Sequence, residues 1–147
     1  MEVFEVKTNK KKYLDLLLLA DEQESMIDRY LEDGDMYILE NDGTKAVMVV
    51  KEIDNKNLEI KNLAVSPNSQ KKGYGKYMID YVSRKYKEKY EYLYVGTGDS
   101  PLTIPFYEKC GFKRSHSIKN FFINNYDHPI FEEGKQLIDM IYLKKKL

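Results

Sequence analysis

The sequence holds one cysteine, Cys110, and two histidines, His116 and His128. A single cysteine can form neither an internal disulfide nor a multi-cysteine metal site, and it suits a reducing, cytoplasmic setting. Histidines twelve positions apart have no metal-ligand spacing, so no metal is expected. Charge of one sign is also missing: 24 Lys and Arg balance 24 Asp and Glu. A neutral chain lacks the basic excess that usually marks nucleic-acid and membrane-surface binders, so neither partner is expected. No apolar run approaches the roughly 18 residues of a membrane-spanning helix. The stretch from Leu14 to Ala20 is apolar, but Asp15 interrupts it. Lys10, Lys11 and Lys12 precede it as the charged start of a signal peptide would. Acidic residues from Asp21 to Glu24 then stand where a small-residue cleavage site belongs, so a first helix is the better account. Repeats, low-complexity tracts and linkers are absent.

What is present is a chain of 147 residues, 42% apolar and 33% charged. That is enough to bury a core in one domain, residues 1–147, and to stay soluble. Residues 2–6 alternate as a short strand. Thr8 or Asn9 can cap a helix running to about Ala20, and a second helix is expected over 22–32, stopped by Gly34. Strands over 36–40 and 45–53 flank Asn41-Asp42-Gly43, a strong hairpin signal. A further turn at 54–57 leads to a strand over 58–65, so residues 36–65 read as an antiparallel meander. A helix follows from near Gly73 to about Lys89. Its Tyr74, Tyr77, Met78, Tyr81 and Val82 share one apolar face. A strand over 92–95 precedes a helix capped by Ser100, with Pro101 at its first position and Gly111 at its end. Residues 112–123 and 136–143 read as two final strands. This order implies a mixed sheet with helices on both faces.

The segment from Gln70 to Lys76 joins a strand to a helix. Gly73 and Gly75 let the backbone approach a ligand closely. The first N–H groups of the following helix have no internal partner and lie at its positive end, a geometry that binds phosphate. Lys71, Lys72 and Lys76 add charge. A Walker loop fails, because Gln70 and Tyr77 stand where Gly and Ser or Thr are required. A dinucleotide fingerprint fails at Met78. On the residues alone, a phosphate loop and an ordinary glycine-containing helix start both remain open.

Residues 58–76, from Leu58-Glu59-Ile60-Lys61-Asn62-Leu63-Ala64-Val65 through Gln70-x-x-Gly73-x-Gly75, resemble motif A of the GNAT superfamily of N-acetyltransferases. The stretch Ile104-Pro105-Phe106-Tyr107-Glu108-Lys109-Cys110-Gly111-Phe112 resembles its motif B. The resemblance is specific in the order and spacing of the two motifs. It implies an α/β (α+β) acyl-CoA N-acyltransferase fold, with a mixed, mostly antiparallel sheet of about seven strands flanked by four helices. It implies acetyl-CoA as acyl-donor co-substrate, with its pyrophosphate on Gln70, Lys71, Lys72, Gly73, Tyr74, Gly75 and Lys76. The pantetheine arm would lie along Leu63, Ala64 and Val65, with a Val65 N–H as oxyanion donor. Motif B often opens with Asn where this chain has Ser100, a shorter side chain that can cap the helix and stands as the remaining cofactor contact beside Tyr107.

Acetyl transfer to an amine needs a neutral nucleophile, yet a lysine-like amine with a pKa of about 10.4 is mostly protonated at neutral pH. Glu59, on the strand entering the loop, is the candidate base; the alternative is a solvated strand glutamate paired with a neighbouring lysine. With period 2, Glu59 and Lys61 should share a face with Leu63 and Val65. Tyr107 matches the family tyrosine that protonates the leaving thiolate; with 13 tyrosines in the chain, core packing is the competing role. Cys110, near a helix C-terminus, is a poor candidate nucleophile. Acceptor choice should lie with the first two helices and the 123–135 loop. The acidic run over 21–35 either attracts a cationic amine or is a solvated face. The expected activity is direct transfer in a ternary complex to a primary amine of a small molecule or peptide. The alternative is a non-catalytic CoA or acyl-CoA sensor of the same fold. A homodimer through sheet edges fits either.

Overall fold

A computed structural model describes residues 1–147. In chain order the elements are β1 (Glu2–Val6), α1 (Leu14–Ala20), α2 (Glu24–Ile27), β2 (Asp35–Glu40), β3 (Thr44–Asp54), β4 (Asn57–Val65), α3 (Tyr74–Tyr86), β5 (Tyr92–Gly98), α4 (Thr103–Lys109), β6 (Lys113–Ile118), α5 (Phe121–Asn125), β7 (Phe131–Glu132), β8 (Lys135–Gln136) and β9 (Met140–Lys146).

β1 to β4 pair antiparallel in sequence order. The β2–β3 hairpin turns at Asp42 and Gly43, both at positive φ, a conformation that Gly adopts freely and Asp tolerates. β5 lies parallel to β4, and a parallel neighbour needs a crossover, which α3 supplies. β9 and then β6 complete a seven-stranded sheet of order β1-β2-β3-β4-β5-β9-β6. β7 and β8 form a separate small hairpin.

The central strand β3 shows how the sheet is sandwiched. Met48 and Val50 point to the face covered by α3 and α4, where they join Met78, Ile79, Val82 and Ile104. Val47 and Val49 point to the opposite face, against Leu17, Ile27 and Leu31 of the α1–α2 region. Strict alternation with both faces apolar is what a strand buried on both sides requires. The α1–α2 layer is anchored by Lys10. Its ammonium is buried and donates to the carbonyls of Leu31 (2.9 Å), Glu32 (3.2 Å) and Gly34 (2.7 Å). Three carbonyls without backbone partners thus saturate one cation.

The sheet has the expected seven strands, but the last runs over Met140–Lys146, not 136–143, and five helices flank it, not four. The fifth, α5, lies where the final part of a 112–123 strand was expected. Asn120 takes a left-handed conformation and its N–H is held by the Asp139 carboxylate (2.8 Å), which ends the strand. Phe122 then turns inward to pack with Ile130 and Leu137. The second helix is also short, four residues in place of the expected 22–32, and continues as turns to Gly34. The first begins with a 3-10 turn over Lys10–Tyr13.

Candidate active site

β4 and β5 pair only from Asn57–Tyr92 to Ile60–Val95. On β4's other side, Val49 faces Asn62 and Val50 faces Ile60, so Lys61 is an unopposed bulge residue. A bulge bends its strand and increases local twist. Past it, β4 and β5 part and leave a cleft of about 740 Å³. The bulge also overturns the expected alternation. Leu63 and Val65 pack with Leu58 and Ile60 on the α3 face, not with Glu59. One inserted residue exchanges the faces of everything beyond it.

Glu59, Leu63, Ala64, Val65, Gln70 and Tyr107 all line this cleft. The Glu59 side chain is 12% exposed, so it is not a solvated strand residue. It accepts a hydrogen bond from the Tyr142 hydroxyl (2.9 Å) and pairs with the Lys61 ammonium (3.3 Å). Burial, then the Glu59 charge, pushes the Tyr142 hydroxyl up, so it remains a donor. Tyr142 lies 83 positions from Glu59, and no local pattern in the sequence marks it.

Tyr107 is buried on α4, edge-on to Phe106 and Phe112. The hydroxyls of Tyr30, Tyr86, Tyr126 and Tyr142 donate to carboxylates of the chain. No such bond involves Tyr107. Burial, with lesser contributions from Cys110 and Glu132, holds its pKa well above the usual tyrosine value, so it is protonated at neutral pH. The Cys110 thiol is likewise pushed up, chiefly by burial, which agrees with its being no nucleophile.

The loop after β4 is bent by Lys71 and Gly73, at φ of 63° and 86°. Gln70 is tied to the strand end by a hydrogen bond from its side-chain amide to the Val65 carbonyl (3.2 Å). The first N–H of α3 bonded within the helix is that of Tyr77, to Gly73, which leaves those of Tyr74, Gly75 and Lys76 open. Gly75 fits close packing, since a Cβ there would stand 3.0 Å from the Phe106 ring and the ring would have to give way slightly. Lys71 and Lys72 are exposed, whereas Lys76 pairs with Asp80 (2.9 Å) and the Tyr74 hydroxyl accepts from Asn41 (2.9 Å). Residues 71–76 do not line the cleft. Nor does Ser100, which is buried; its hydroxyl accepts the N–H groups of Leu102 (3.2 Å) and Thr103 (3.4 Å) and caps the start of α4.

The other end of the cleft is lined by residues of the α1–α2 region and the 123–135 loop, where acceptor choice was expected to lie, and it includes part of the acidic stretch over 21–35. Of that stretch, Asp21 and Glu22 reach the cleft. Glu24 and Asp28 pair with Lys11 on the surface, and Asp35 accepts from Tyr86. Asp21 accepts hydrogen bonds from the hydroxyls of Tyr30 (3.0 Å) and Tyr126 (2.7 Å). Burial nevertheless raises its pKa above the usual Asp value. Beside it, His128 contacts Glu22 (3.1 Å) and Asp127 (2.6 Å), which raise its pKa, and Arg29 donates to Asn125 (3.0 Å). These bonds tie the segment after α5 to the α1–α2 region.

Residues 32–114 match the profile of the acetyltransferase (GNAT) domain. The chain belongs to the GNAT acetyltransferase family. An N-acetyltransferase of Bacillus subtilis (strain 168), YvbK, itself uncharacterised, is 38% identical over 140 residues, 93% of this chain and 90% of its own length. A GNAT family acetyltransferase from Elizabethkingia anophelis, crystallised with acetyl-CoA bound, superposes with a TM-score of 0.93 at 36% identity, covering 99% of this chain and 97% of that one. A Bacillus subtilis acetyltransferase in complex with CoA gives 0.88 at 34% identity, over 99% and 98% of the two chains. This GNAT chain is therefore an acyltransferase. It has no group of three or more His, Cys, Asp or Glu placed to hold a metal, and none of its helices is long and apolar enough to cross a membrane.

Proposed function

We propose that residues 1–147 act as one catalytic domain that moves the acetyl group of acetyl-CoA to a primary amine of a small molecule or peptide. The amine attacks directly while both substrates are bound. The observation that carries this reading is the parting of β4 and β5 beyond Ile60–Val95. It opens one cleft onto a half-buried carboxylate, Glu59, and a buried, protonated phenol, Tyr107. The related chains crystallised with acetyl-CoA and CoA support the donor.

In this reading the open N–H groups of Tyr74, Gly75 and Lys76, with Gln70, Lys71, Lys72 and Gly73, hold the pyrophosphate. The backbone of Leu63, Ala64 and Val65, freed from β5, binds the pantetheine arm, and a Val65 N–H meets the oxyanion. Glu59 takes the proton of the amine, and Tyr107 gives one to the departing thiolate. Ser100 acts only through the helix it caps. The domain works in the cytoplasm without a metal. Pairing along the free edge strands β1 or β6 would make a homodimer, which light scattering would detect.

Release of free thiol from acetyl-CoA in the presence of an amine panel tests the activity. Tyr107→Phe should lower kcat about 100-fold with CoA affinity unchanged; unchanged turnover removes the acid role. Glu59→Gln should flatten the rise of rate with pH, and an unaltered profile removes the base role. Tight CoA binding with no transfer to any amine would instead indicate a sensor.

A further inference from the structure

We propose that the Asp21 end of the cleft is a subsite for a second cationic group of the acceptor, which makes diamines the favoured acceptor class. The proposal rests on the N-acetyltransferase reading and specifies its acceptor.

Asn62 lines the cleft and is 3% exposed. Its Nδ2 donates to the Leu17 carbonyl (3.0 Å) and to the Tyr30 hydroxyl (3.1 Å). A peptide carbonyl can only accept, so the carboxamide cannot be turned over. Its Oδ1 is consequently buried without a donor, and no other buried side-chain polar atom of the chain is in that position. A buried acceptor left bare is costly, and such exceptions call for a missing partner.

The neighbouring groups say what that partner must be. The Tyr30 and Tyr126 hydroxyl protons are already given to Asp21. Lys61 is engaged by Glu59 and Arg29 by Asn125. Glu22 adds a second carboxylate, in contact with His128. What remains unsatisfied at this end is acceptor capacity, on Asn62 and Asp21, so an ammonium fits and a carboxylate is repelled. The way between the two ends already accommodates an ammonium. The Lys61 Nζ lies 3.3 Å from Glu59 Oε2 and 5.8 Å from the centre of the Tyr30 ring. An acceptor with amines at both ends would place one at Glu59 and the other at Asp21. Asn62 is then a positioning residue that aims the Tyr30 proton at Asp21.

The test compares butane-1,4-diamine with butylamine in two assays, thiol release and calorimetric titration of the CoA-bound protein. The wild-type chain should favour the diamine about tenfold in kcat/KM and in affinity, the value of one charge-assisted contact. Asp21→Asn should bring the two amines to parity without altering CoA binding. Should that variant misfold, Tyr126→Phe serves: it removes one donor to Asp21, so the ratio of monoamine KM to diamine KM should fall, with CoA affinity unmoved. Parity in the wild type, or a preference that survives both substitutions, overturns the subsite. Asp21-dependent diamine binding without acetylation of any amine would leave the subsite standing and remove the transfer reading.

Discussion

The two ends of the cleft are built in opposite ways. In the proposed reading the cofactor end is the strand end at residues 63–65 with the loop that follows it to residue 76, and it would work through backbone: a strand freed of its neighbour, a glycine at φ of 86°, and open N–H groups at the start of α3. The proposed acceptor end comes from segments about a hundred positions apart and would work through side chains. Tyr126 reaches Asp21 across 105 positions, and His128 reaches Glu22 across 106. A backbone site tolerates change in most side chains around it. A side-chain site can be retuned one residue at a time while the fold persists. This difference predicts that substitutions at the two ends separate cleanly.

The largest expected effect tests whether the acceptor end can be broken alone. Lys10→Met removes the donor to three carbonyls that hold the α1–α2 layer in place. Stranding buried carbonyls should cost about 3 kcal/mol, read as a fall in the midpoint of urea unfolding. The variant should still bind CoA, because the loop of residues 70–76 touches none of these groups. If CoA affinity falls in step with acceptor binding, the two ends are not independent.

Gly73→Val makes the reciprocal break. No atom lies within 4 Å of a Cβ at this position, so the cost is purely that of the positive φ. Forcing a β-branched residue into it should cost about 1–2 kcal/mol or distort the loop. Calorimetry should show weaker CoA binding with the acceptor KM unchanged at saturating acetyl-CoA. Unaltered CoA affinity would mean that this loop is an ordinary helix start.

How far each end was legible follows from the same contrast. Gln70, Gly73 and Gly75 stand in one short run, as a backbone site of the proposed kind must, and the meander was visible in hairpin signals and alternation, while the seven-stranded sheet came with the resemblance. The bulge at Lys61 was missed by a strict two-residue period, although the large apolar residues step from Leu58 and Ile60 to Leu63 and Val65, with polar Asn62 between them. Ser100 read as the cap of a helix starting at Pro101; α4 starts at Thr103 instead, and the Ser100 hydroxyl holds the Leu102 and Thr103 N–H groups of the turn that leads into it. Phe121-Phe122-Ile123 has the composition of a strand, and only packing against Ile130 and Leu137 makes it helical. Tyr142, Asn62 and Tyr126 gain their roles solely from partners distant in sequence.

The smallest expected effect bears on why the acceptor end is built as it is. Asp21 is half-buried, and its pKa in the folded chain lies above the ordinary Asp value, with burial the leading cause. For a group raised in this way, the stabilising contribution is complete below the unfolded pKa and is lost as pH rises through the folded one. The ionised form of the carboxyl therefore works against folding, despite the two tyrosine hydroxyls, the Gln23 N–H and the Lys61 charge that support it. Asp21→Asn keeps the shape and removes the charge, and one tyrosine hydroxyl can turn to accept from the new amide. Its Tm should equal or slightly exceed that of the wild type at pH 7.5, and the advantage should be smaller in melts at about pH 4.5, because protonating the carboxyl removes the same charge. Thermal melts at the two pH values measure this directly. A lower Tm at pH 7.5 would make Asp21 a structural residue. A Tm that holds while diamine preference is lost would mean that the charge is kept for binding at the expense of stability.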